Sequence, residues 1–237
     1  MYPVLFELGF IKIYSHGLMM AIGVIVGGMI LYNLAKHSGL NARLTVDLII
    51  YSVLAGLLGA RLMYVVFNAG QFSNWKEFLF IWNGGLVSFG GIITGFLTAW
   101  YFLKKQNESW LKWFDLGFLS LLIGWAIGRV GCFLSGDILG KILEKKIIWW
   151  DTWPVTMIES SVCLILFFIF LFLFKKQIFK PGKIFGFGLI AYAATRFIID
   201  FTRLNDNQEI WLNMSQFGDI LLIFVALVFL IKAKQEV

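Results

Sequence analysis

The sequence predicts an all-α integral membrane protein with about seven transmembrane helices. Of the 237 residues, 59% are hydrophobic and only 14% are charged, and the mean hydropathy is +0.82. These values lie outside the range of soluble globular proteins. The apolar stretches are each about 20 residues long, which is the length that a helix needs to cross a bilayer. The predicted spans are 16–35, 45–67, 79–103, 114–135, 154–174, 184–202 and 214–231.

The loop charges predict that the N-terminus lies outside and the C-terminus lies in the cytoplasm. Eleven basic residues fall in or beside the loops after the first, third, fifth and seventh spans: Lys36, Arg43, Lys104, Lys105, Lys112, Lys175, Lys176, Lys180, Lys183, Lys232 and Lys234. Six fall on the opposite side: Lys12, Lys76, Lys141, Lys145, Lys146 and Arg203. Loops rich in lysine and arginine stay in the cytoplasm. An odd number of spans then places the two termini on opposite sides.

Nearly the whole chain is predicted to lie in the membrane, so residues 1–237 are expected to form a single polytopic domain. The amphipathic, aromatic segment 1–15 is expected at the outer interface, before the first span. External loop elements are expected at about 136–153, which carries several tryptophans, and at 203–213. The glycine pairs of WNGGLVSFGGIITG indicate either close approach of two backbones or a broken, re-entrant segment that lines a cavity.

Several classes of function are not indicated by the composition. The net charge of +6 is distributed over the loops and is not the signature of a nucleic-acid-binding protein. Cys132 and Cys163 lie in or near apolar spans, without a CxxC pair or zinc-ligand spacing. The two histidines, His16 and His37, lie at opposite ends of the first span. We therefore expect no metal, no cofactor and no nucleic-acid partner.

Three arginines lie within predicted spans, where an arginine is expensive. Insertion of Arg61, Arg129 or Arg196 at the depth of a helix centre costs about 2.5–3.5 kcal/mol on insertion scales. A membrane protein keeps such a group when it faces the interior of the helix bundle and binds a negative charge. Because phospholipid headgroups are the most abundant anions in a bilayer, the arginines predict a buried site for a lipid phosphate.

The sixth span carries four polar side chains on one helical face. Tyr192, Arg196, Asp200 and Arg203 are spaced by four, four and three residues, which brings them to the same side of a helix. One interpretation is an internal salt bridge between Arg196 and Asp200 that lets a charged helix insert. The other is an anion clamp, in which the carboxylate and the phenol hold the arginines in place.

The fourth span ends in a second polar segment, GRVGCFLSGDILG, which begins at Gly128. Arg129 is flanked by glycines, and Ser135, Asp137 and Gly140 follow near the predicted outer boundary. The alternatives are glycine-mediated helix packing with an arginine that extends outward, or a site built around the guanidinium. Cys132 is predicted to be a small packing residue rather than a nucleophile.

Three further side chains belong to the candidate site. Glu159, near the outer start of the fifth span, is either the partner of an arginine or an acid/base group. Arg61 and Tyr64 share one face of the second span. His16 lies at the outer start of the first span, where a histidine is often incidental.

Taken together, these motifs resemble the prolipoprotein diacylglyceryl transferase family of bacteria. The segment GRVGCFLSGDILG matches the family's signature at Arg129 and at Gly128, Gly131 and Gly140. The face of Tyr192, Arg196, Asp200 and Arg203 is similar to the family's Tyr-x3-Arg-x3-Glu-x2-Arg pattern. HGLMMAIGV, GARLMYVVFN, GGLVSFGGIITG, WPVTMIES and NMSQFGD resemble its other landmarks in the same order, over almost the whole chain.

The chain departs from the family pattern at several polar positions. Phe89 stands where the family usually has a histidine, and His16 stands where it has a tyrosine. Cys132 and Ser135 replace the two asparagines of the signature, and Asp137 replaces its glutamate. The anion-binding half of the expected site is thus retained, and the half expected to move protons is altered.

The resemblance implies transfer of a diacylglyceryl group from phosphatidylglycerol to the lipobox cysteine of a prolipoprotein signal peptide, in the bacterial cytoplasmic (inner) membrane. It implies as partners phosphatidylglycerol, other membrane lipid and the lipobox. The expected catalytic residues are Arg129, Arg196, Asp137 and Glu159. The expected substrate-binding residues are Arg61, Tyr64, His16, Ser135, Gly140, Tyr192, Asp200 and Arg203. Asp137, Glu159 and His16, in that order, are the candidates for the base that takes the thiol proton.

Two other functions fit the same sequence. A related transferase with a different acceptor or lipid fits the changes at Phe89, Cys132 and Asp137. A lipid-binding or transport protein that has lost the chemistry predicts bound phosphatidylglycerol without turnover. A small-anion transporter usually has inverted repeats, and none is visible in the sequence.

Overall fold

The computed structural model describes residues 2–8, 11–71, 74, 85–147, 150–204 and 213–235. Within these residues the chain forms seven α-helices. They are α1 Ser15–His37, α2 Leu44–Phe67, α3 Ser88–Lys105, α4 Trp110–Ser135, α5 Val155–Lys175, α6 Lys183–Asp200 and α7 Met214–Gln235. Each predicted span overlaps one of these helices, which confirms the helical class. The first part of the predicted third span, residues 79–84, lies outside the described residues.

Four of the described helices are long and apolar enough to cross a membrane by length and composition: α1, α2, α4 and α5. A shorter apolar stretch, Ser215–Ile231, lies in α7. The chain is therefore a membrane protein with several apolar helices. The count of seven spans and the location of the two termini stay predictions.

Two small β-hairpins accompany the helices and were not part of the sequence prediction. β1 (Val4–Leu8) pairs antiparallel with β2 (Ile11–Tyr14) inside the segment expected to lie at the interface. β3 (Ile142–Ile147) pairs with β4 (Trp150–Thr152) inside the predicted external element 136–153. Both segments are too short and too polar for a span, and a hairpin satisfies their backbone groups locally. Of the element predicted at 203–213, residues 205–212 lie outside the described residues.

The chain divides into two compact units. The first unit is Met1–Leu31 with Leu111–Val237, and it contains most of α1 together with α4 to α7. The second unit is Tyr32–Trp110, and it contains the last turns of α1 together with the whole of α2 and α3. The single domain over residues 1–237 stays a prediction.

In the first unit, α1 and α4 meet at glycines. A Cβ atom added to Gly23 would lie 2.6 Å from the carbonyl oxygen of Gly124, and one added to Gly27 would lie 3.0 Å from that of Ser120. Side chains at these positions would therefore force the helices apart. The close crossing continues to Gly131, which faces Met19 and His16. It thus brings the first turn of α1 beside the last turns of α4.

The start of α6 is anchored by a carboxylate from α4. Asp115 is buried, and its two oxygens accept hydrogen bonds from the backbone N–H groups of Gly182 and Phe185, both at 2.7 Å. A negative group is favourable at a helix N-terminus, where backbone N–H groups lack partners. Gly182 adopts φ of 84°, a left-handed conformation that glycine takes at little cost. This anchor fixes the start of the helix that carries Arg196.

In the second unit, the glycine-rich segment packs closely on α2. A Cβ atom at Gly91 would lie 3.0 Å from the carbonyl oxygen of Gly56. The Thr94 hydroxyl donates to the carbonyl oxygen of Ala55 at 2.9 Å. Close backbone approach, one of the two alternatives for this segment, is therefore confirmed in α3. Residues 75–84, which include the first glycine of the segment, lie outside the described residues.

Candidate active site

A buried chain of ion pairs joins α4, α5 and the end of α6. Arg129 Nε lies 2.6 Å from Glu159 Oε2, and Arg203 Nη2 donates to Glu159 Oε1 at 3.1 Å. Arg203 Nη1 then lies 3.2 Å from Asp200 Oδ1. Glu159 is 4% exposed and Asp200 is fully buried. One glutamate therefore serves two guanidinium groups in an environment where an unpaired charge is costly.

Arg129 is held from two sides. Arg129 Nε lies 2.6 Å from Glu159 Oε2, but neither atom makes a hydrogen bond within the described residues. The contact is therefore an ion pair rather than a directed hydrogen bond. On the other side, the guanidinium carbon lies 4.9 Å from the centroid of the Trp125 ring, which is a cation–π distance. Arg129 is thus oriented while part of its hydrogen-bonding capacity stays uncommitted.

Arg196 pairs with a residue that the sequence analysis did not single out. Its Nη1 donates to Asp219 Oδ1 at 2.6 Å, and Asp219 is fully buried in α7. The expected salt bridge between Arg196 and Asp200 does not form. Asp200 is instead paired with Arg203, and the hydroxyl of Ser215 donates to its other oxygen. Arg196 therefore reaches to a neighbouring helix rather than along its own.

The network contains three guanidinium groups and three carboxylates, so it is balanced when all six are ionised. The cations are Arg129, Arg196 and Arg203, and the anions are Glu159, Asp200 and Asp219. Nε of Arg196 and Nε of Arg203 are buried and have no hydrogen-bond partner among the described residues. A guanidinium has five N–H groups in a planar fork that fits phosphate oxygens. The cluster therefore contains N–H groups that are not used in hydrogen bonds within the described residues.

Tyr192 belongs to the same cluster. The half-buried side chain lies within electrostatic range of Arg196, Arg129 and Glu159. The predicted face of α6 is thus directed toward α4, α5 and α7, and all four of its polar residues lie in or beside the ion-pair network.

A second group of polar side chains, the His16 cluster, consists of His16, Cys132, Ser135 and Asp137. His16 Nδ1 lies 3.4 Å from Cys132 Sγ and 3.8 Å from Asp137 Oδ2. The Ser135 hydroxyl donates to Asp137 Oδ2 at 2.5 Å. The side chains of His16 and Asp137 are 46% and 56% exposed. The α1–α4 crossing thus assembles three of the predicted site residues and also Cys132, which was expected only to pack.

Gly140 connects the external loop to the end of α6. It forms an isolated antiparallel bridge with Arg203, and the Lys141 N–H donates to the carbonyl oxygen of Thr202 at 2.9 Å. A Cβ atom at Gly140 would lie 2.7 Å from the Cβ atom of Trp153. Glycine is therefore required where this loop packs against Trp153. The same glycine bridges to the backbone of Arg203, whose side chain pairs with Glu159.

Arg61 and Tyr64 lie in the second unit. Arg61 is 7% exposed, and its Nη1 donates to the carbonyl oxygen of Gly85 at 3.1 Å. Its guanidinium carbon lies 5.5 Å from the centroid of the Tyr64 ring. Arg61 thus supports the turn at Gly85, whose φ is 78°. A role for Arg61 and Tyr64 in substrate binding stays a prediction, as does the altered position Phe89 in α3.

Asp219 is the main residue of the network that the sequence analysis missed. It lies in NMSQFGD, which was considered only as a landmark of the resemblance. The signal was present, because Asp219 precedes a long apolar run and an ionisable residue within a membrane helix is a candidate functional residue by default. Among the described residues, no group of three or more His, Cys, Asp and Glu side chains is placed to hold a metal ion.

Comparison with known proteins finds matches over nearly the whole length of the chain. The sequence profile of the prolipoprotein diacylglyceryl transferases matches residues 3–232. A Clostridium tetani protein named phosphatidylglycerol–prolipoprotein diacylglyceryl transferase is 30% identical over 238 residues, which cover 96% of each chain. Proteins of the same name from Finegoldia magna and Oceanobacillus iheyensis are 28% and 30% identical, over 99% and 98% of this chain and 96% and 88% of their own. The chain therefore belongs to the prolipoprotein diacylglyceryl transferase family.

Proposed function

We propose that this chain transfers a diacylglyceryl group from phosphatidylglycerol to the lipobox cysteine of prolipoproteins, as a step of lipoprotein maturation. Its family is one of transferases, and its relatives are named for phosphatidylglycerol and prolipoprotein. The observation that carries the assignment of roles is the buried network around Glu159. There two arginines contact Glu159, a third arginine pairs with Asp219, and the Nε–H groups of all three make no hydrogen bond within the described residues.

The reaction needs a site that stabilises negative charge. The thiol of the acceptor cysteine loses its proton, and its sulfur forms a bond to the terminal glyceryl carbon of the lipid. The bond from that carbon to the phosphate oxygen breaks, and glycerol phosphate leaves with the electron pair. The phosphate changes from a diester with one negative charge to a monoester with a second ionisable oxygen. Guanidinium groups that bind it gain strength as this charge develops.

We assign the phosphate to Arg129 and Arg196, each of which has a carboxylate partner on another helix. Arg129 is held by Glu159 and Trp125, and Arg196 by Asp219. Preorganised donors of this kind need little rearrangement when charge develops in the transition state. Arg203, Asp200 and Tyr192 complete the surroundings of the two arginines and are assigned to substrate binding.

Glu159 is better suited to pairing than to proton transfer. Both of its oxygens are engaged by guanidinium groups, at 2.6 and 3.1 Å, and only 4% of the residue is exposed. Glu159 was expected to be either the partner of an arginine or an acid/base group, and the geometry favours the first of these roles. Asp137 and His16 remain as groups that can accept the thiol proton.

We place the protein in the bacterial cytoplasmic (inner) membrane as a multi-pass protein with an external N-terminus. Both proposed substrates are membrane-bound, since one is a phospholipid and the other carries a signal peptide. The apolar helices and the loop charges support this location. The outer half of the membrane is where a secreted prolipoprotein presents its cysteine.

The test compares Arg129→Ala and Arg196→Ala with the wild-type protein. Removal of one preorganised oxyanion donor costs about 10²–10³ in rate, and each variant should lose at least this much transfer from labelled phosphatidylglycerol to a lipobox peptide. Membrane insertion should be retained. Arg43→Ala, at the start of α2, is a matched loss of one arginine outside the network and should transfer at the wild-type rate.

The same assay separates the other functions. Transfer at the wild-type rate by either variant contradicts the assigned roles. Lipid consumption that does not depend on the lipobox peptide indicates a transferase with another acceptor. Bound phosphatidylglycerol that is never consumed indicates a lipid-binding protein, and each of these two results contradicts the proposed function.

A further inference from the structure

The His16 cluster joins two parts of the chain that are 116 residues apart in sequence. The α1–α4 crossing puts His16 Nδ1 at 3.4 Å from Cys132 Sγ, and Cys132 lies one helical turn beyond Arg129 on α4. Cys132 is also within interaction range of the Arg129 guanidinium. The cluster therefore borders one of the two arginines assigned to the lipid phosphate.

The other acidic groups of the first unit near these arginines are committed to cations or to backbone. Glu159 contacts Arg129 and Arg203, Asp200 contacts Arg203, and Asp219 contacts Arg196. All three carboxylates are at most 4% exposed. Protonation of Glu159 would remove the counter-charge of Arg129, and protonation of Asp219 that of Arg196. Protonation of Asp200 would remove one of the two carboxylates that contact Arg203, and each of these losses is costly in a buried site. A group that accepts a proton in every catalytic cycle is therefore better sought outside the network.

His16 and Asp137 meet the remaining requirements for a base. Their side chains are 46% and 56% exposed, so a proton taken from a substrate can pass on to water. Histidine is also the side chain that most often acts as a general base in enzymes. Cys132 and Asp137 are the titratable groups of the described chain that contact His16, and Arg129 lies one turn further along α4.

The orientation of the ring indicates which nitrogen is available. Nδ1 is turned toward Cys132 and Asp137, and within the described part of the chain no hydrogen bond is made to Nε2. A carboxylate beside Nδ1 favours the tautomer with the proton on that nitrogen, and Nε2 then carries the lone pair. The 3.8 Å separation is longer than a hydrogen bond, and such contacts are often long in structures without substrate. Ser135 fixes the carboxylate by donating to Oδ2.

We infer that His16 is the catalytic base of this chain and that Asp137 is its positioning residue. The inference rests on the proposed function and names the proton acceptor of that same reaction. His16 Nε2 takes the proton from the thiol of the acceptor cysteine as the sulfur–carbon bond forms and the carbon–oxygen bond of phosphatidylglycerol breaks. The electron pair leaves with glycerol phosphate at Arg129 and Arg196. The imidazolium then returns its proton to water or to the leaving phosphate.

The experiment measures the rate of transfer to a lipobox peptide against pH for the wild type, His16→Gln and Asp137→Asn. General-base catalysis contributes about 10²–10⁴ in rate, and His16→Gln should lose a factor in this range while it still binds phosphatidylglycerol. The wild-type rate should depend on pH, because only the neutral ring accepts a proton. His16→Gln should lack this dependence, and Asp137→Asn should show a smaller loss of rate than His16→Gln.

The chain offers a matched control, since His37 is its only other histidine. His37 ends α1, and its Nδ1 contacts the carbonyl oxygen of Asn33 at 2.7 Å. His37→Gln should keep both the rate and the pH profile of the wild type. A second variant, His16→Ala, leaves space for a free base, and added imidazole should restore part of its activity. A purely structural role for His16 does not give such a rescue.

The other possible results distinguish a wrong assignment of the base from a wrong proposed function. If His16→Gln transfers at the wild-type rate with an unchanged pH profile, the assignment of the base is overturned. The same holds if His16→Ala folds, binds lipid and is inactive with and without imidazole. If the wild-type protein itself transfers no diacylglyceryl group, the proposed function fails instead, whatever the variants do.

Discussion

Glu159 is the residue whose replacement tests the ion-pair network most directly. It receives Arg129 at 2.6 Å and Arg203 at 3.1 Å and is 4% exposed. At an effective dielectric constant of about 20, Coulomb's law gives attractions of about 6 and 5 kcal/mol at these separations. These attractions are offset by the cost of removing the charges from water, so the net effect of replacement is smaller. Loss of one partner of a buried pair destabilises proteins by about 3–5 kcal/mol.

Glu159→Gln should therefore lower the stability of the first unit by about 3–5 kcal/mol. The glutamine keeps the shape of the side chain but removes its charge, and its amide group offers donors to two groups that are themselves donors. For a chain of this size, the loss corresponds to a decrease of about 6–20 °C in the melting temperature. The measurement is thermal unfolding of the purified protein in detergent, at a fixed heating rate.

A control substitution on α5, the helix that carries Glu159, shows how far an unrelated change on that helix affects stability. Ser161→Ala lies on α5, where the exposed hydroxyl donates to the carbonyl oxygen of Met157 on its own helix, so the change should stay within about 0.5 kcal/mol. Adding Arg203→Gln to Glu159→Gln should cost less than the sum of the two single changes, because each single change removes the same contact between Arg203 and Glu159. The shared-carboxylate network is refuted if Glu159→Gln and Ser161→Ala have the same melting temperature. It is also refuted if the effects of Glu159→Gln and Arg203→Gln on stability are additive.

Two further predictions concern helix contacts that the sequence did not specify. Asp219→Asn should destabilise the chain by about 3–5 kcal/mol and reduce transfer, because Arg196 loses its buried partner. Thermal unfolding measures the first effect and the peptide assay measures the second. An unchanged melting temperature contradicts the pairing. Gly124→Ala should cost about 1–3 kcal/mol, because its new Cβ atom would lie 3.0 Å from the carbonyl oxygen of Gly23. Gly117→Ala, on the same helix with nothing within 4 Å of the new atom, should be neutral or stabilising in the same melting experiment.

The positions of the helices could be predicted because the bilayer imposes a simple rule. A chain inside hydrocarbon must satisfy its backbone hydrogen bonds within each helix, so long apolar runs correspond closely to helices. The rule does not extend to short, mixed segments such as 1–15 and 136–153. There the pairing of two strands depends on contacts across a turn, and the hairpins came from the structure.

The face of α6 was also predictable, because spacings of three and four residues bring side chains together on any helix. What periodicity cannot give is the neighbour that this face meets. Arg196 was expected to pair with Asp200, four residues away, but its partner is Asp219, which is 23 residues away on α7. Asp200 is taken by Arg203 and Ser215 instead.

The sequence by itself determined that this protein is built of apolar helices and that its membrane arginines need anionic partners, because both follow from the cost of polar groups in hydrocarbon. The tertiary structure decided which partners these are. Glu159 lies between Arg129 and Arg203, and Cys132 lies beside His16. These pairings depend on where helices cross and how far each side chain reaches. Both quantities are set by packing between segments that are distant in the chain.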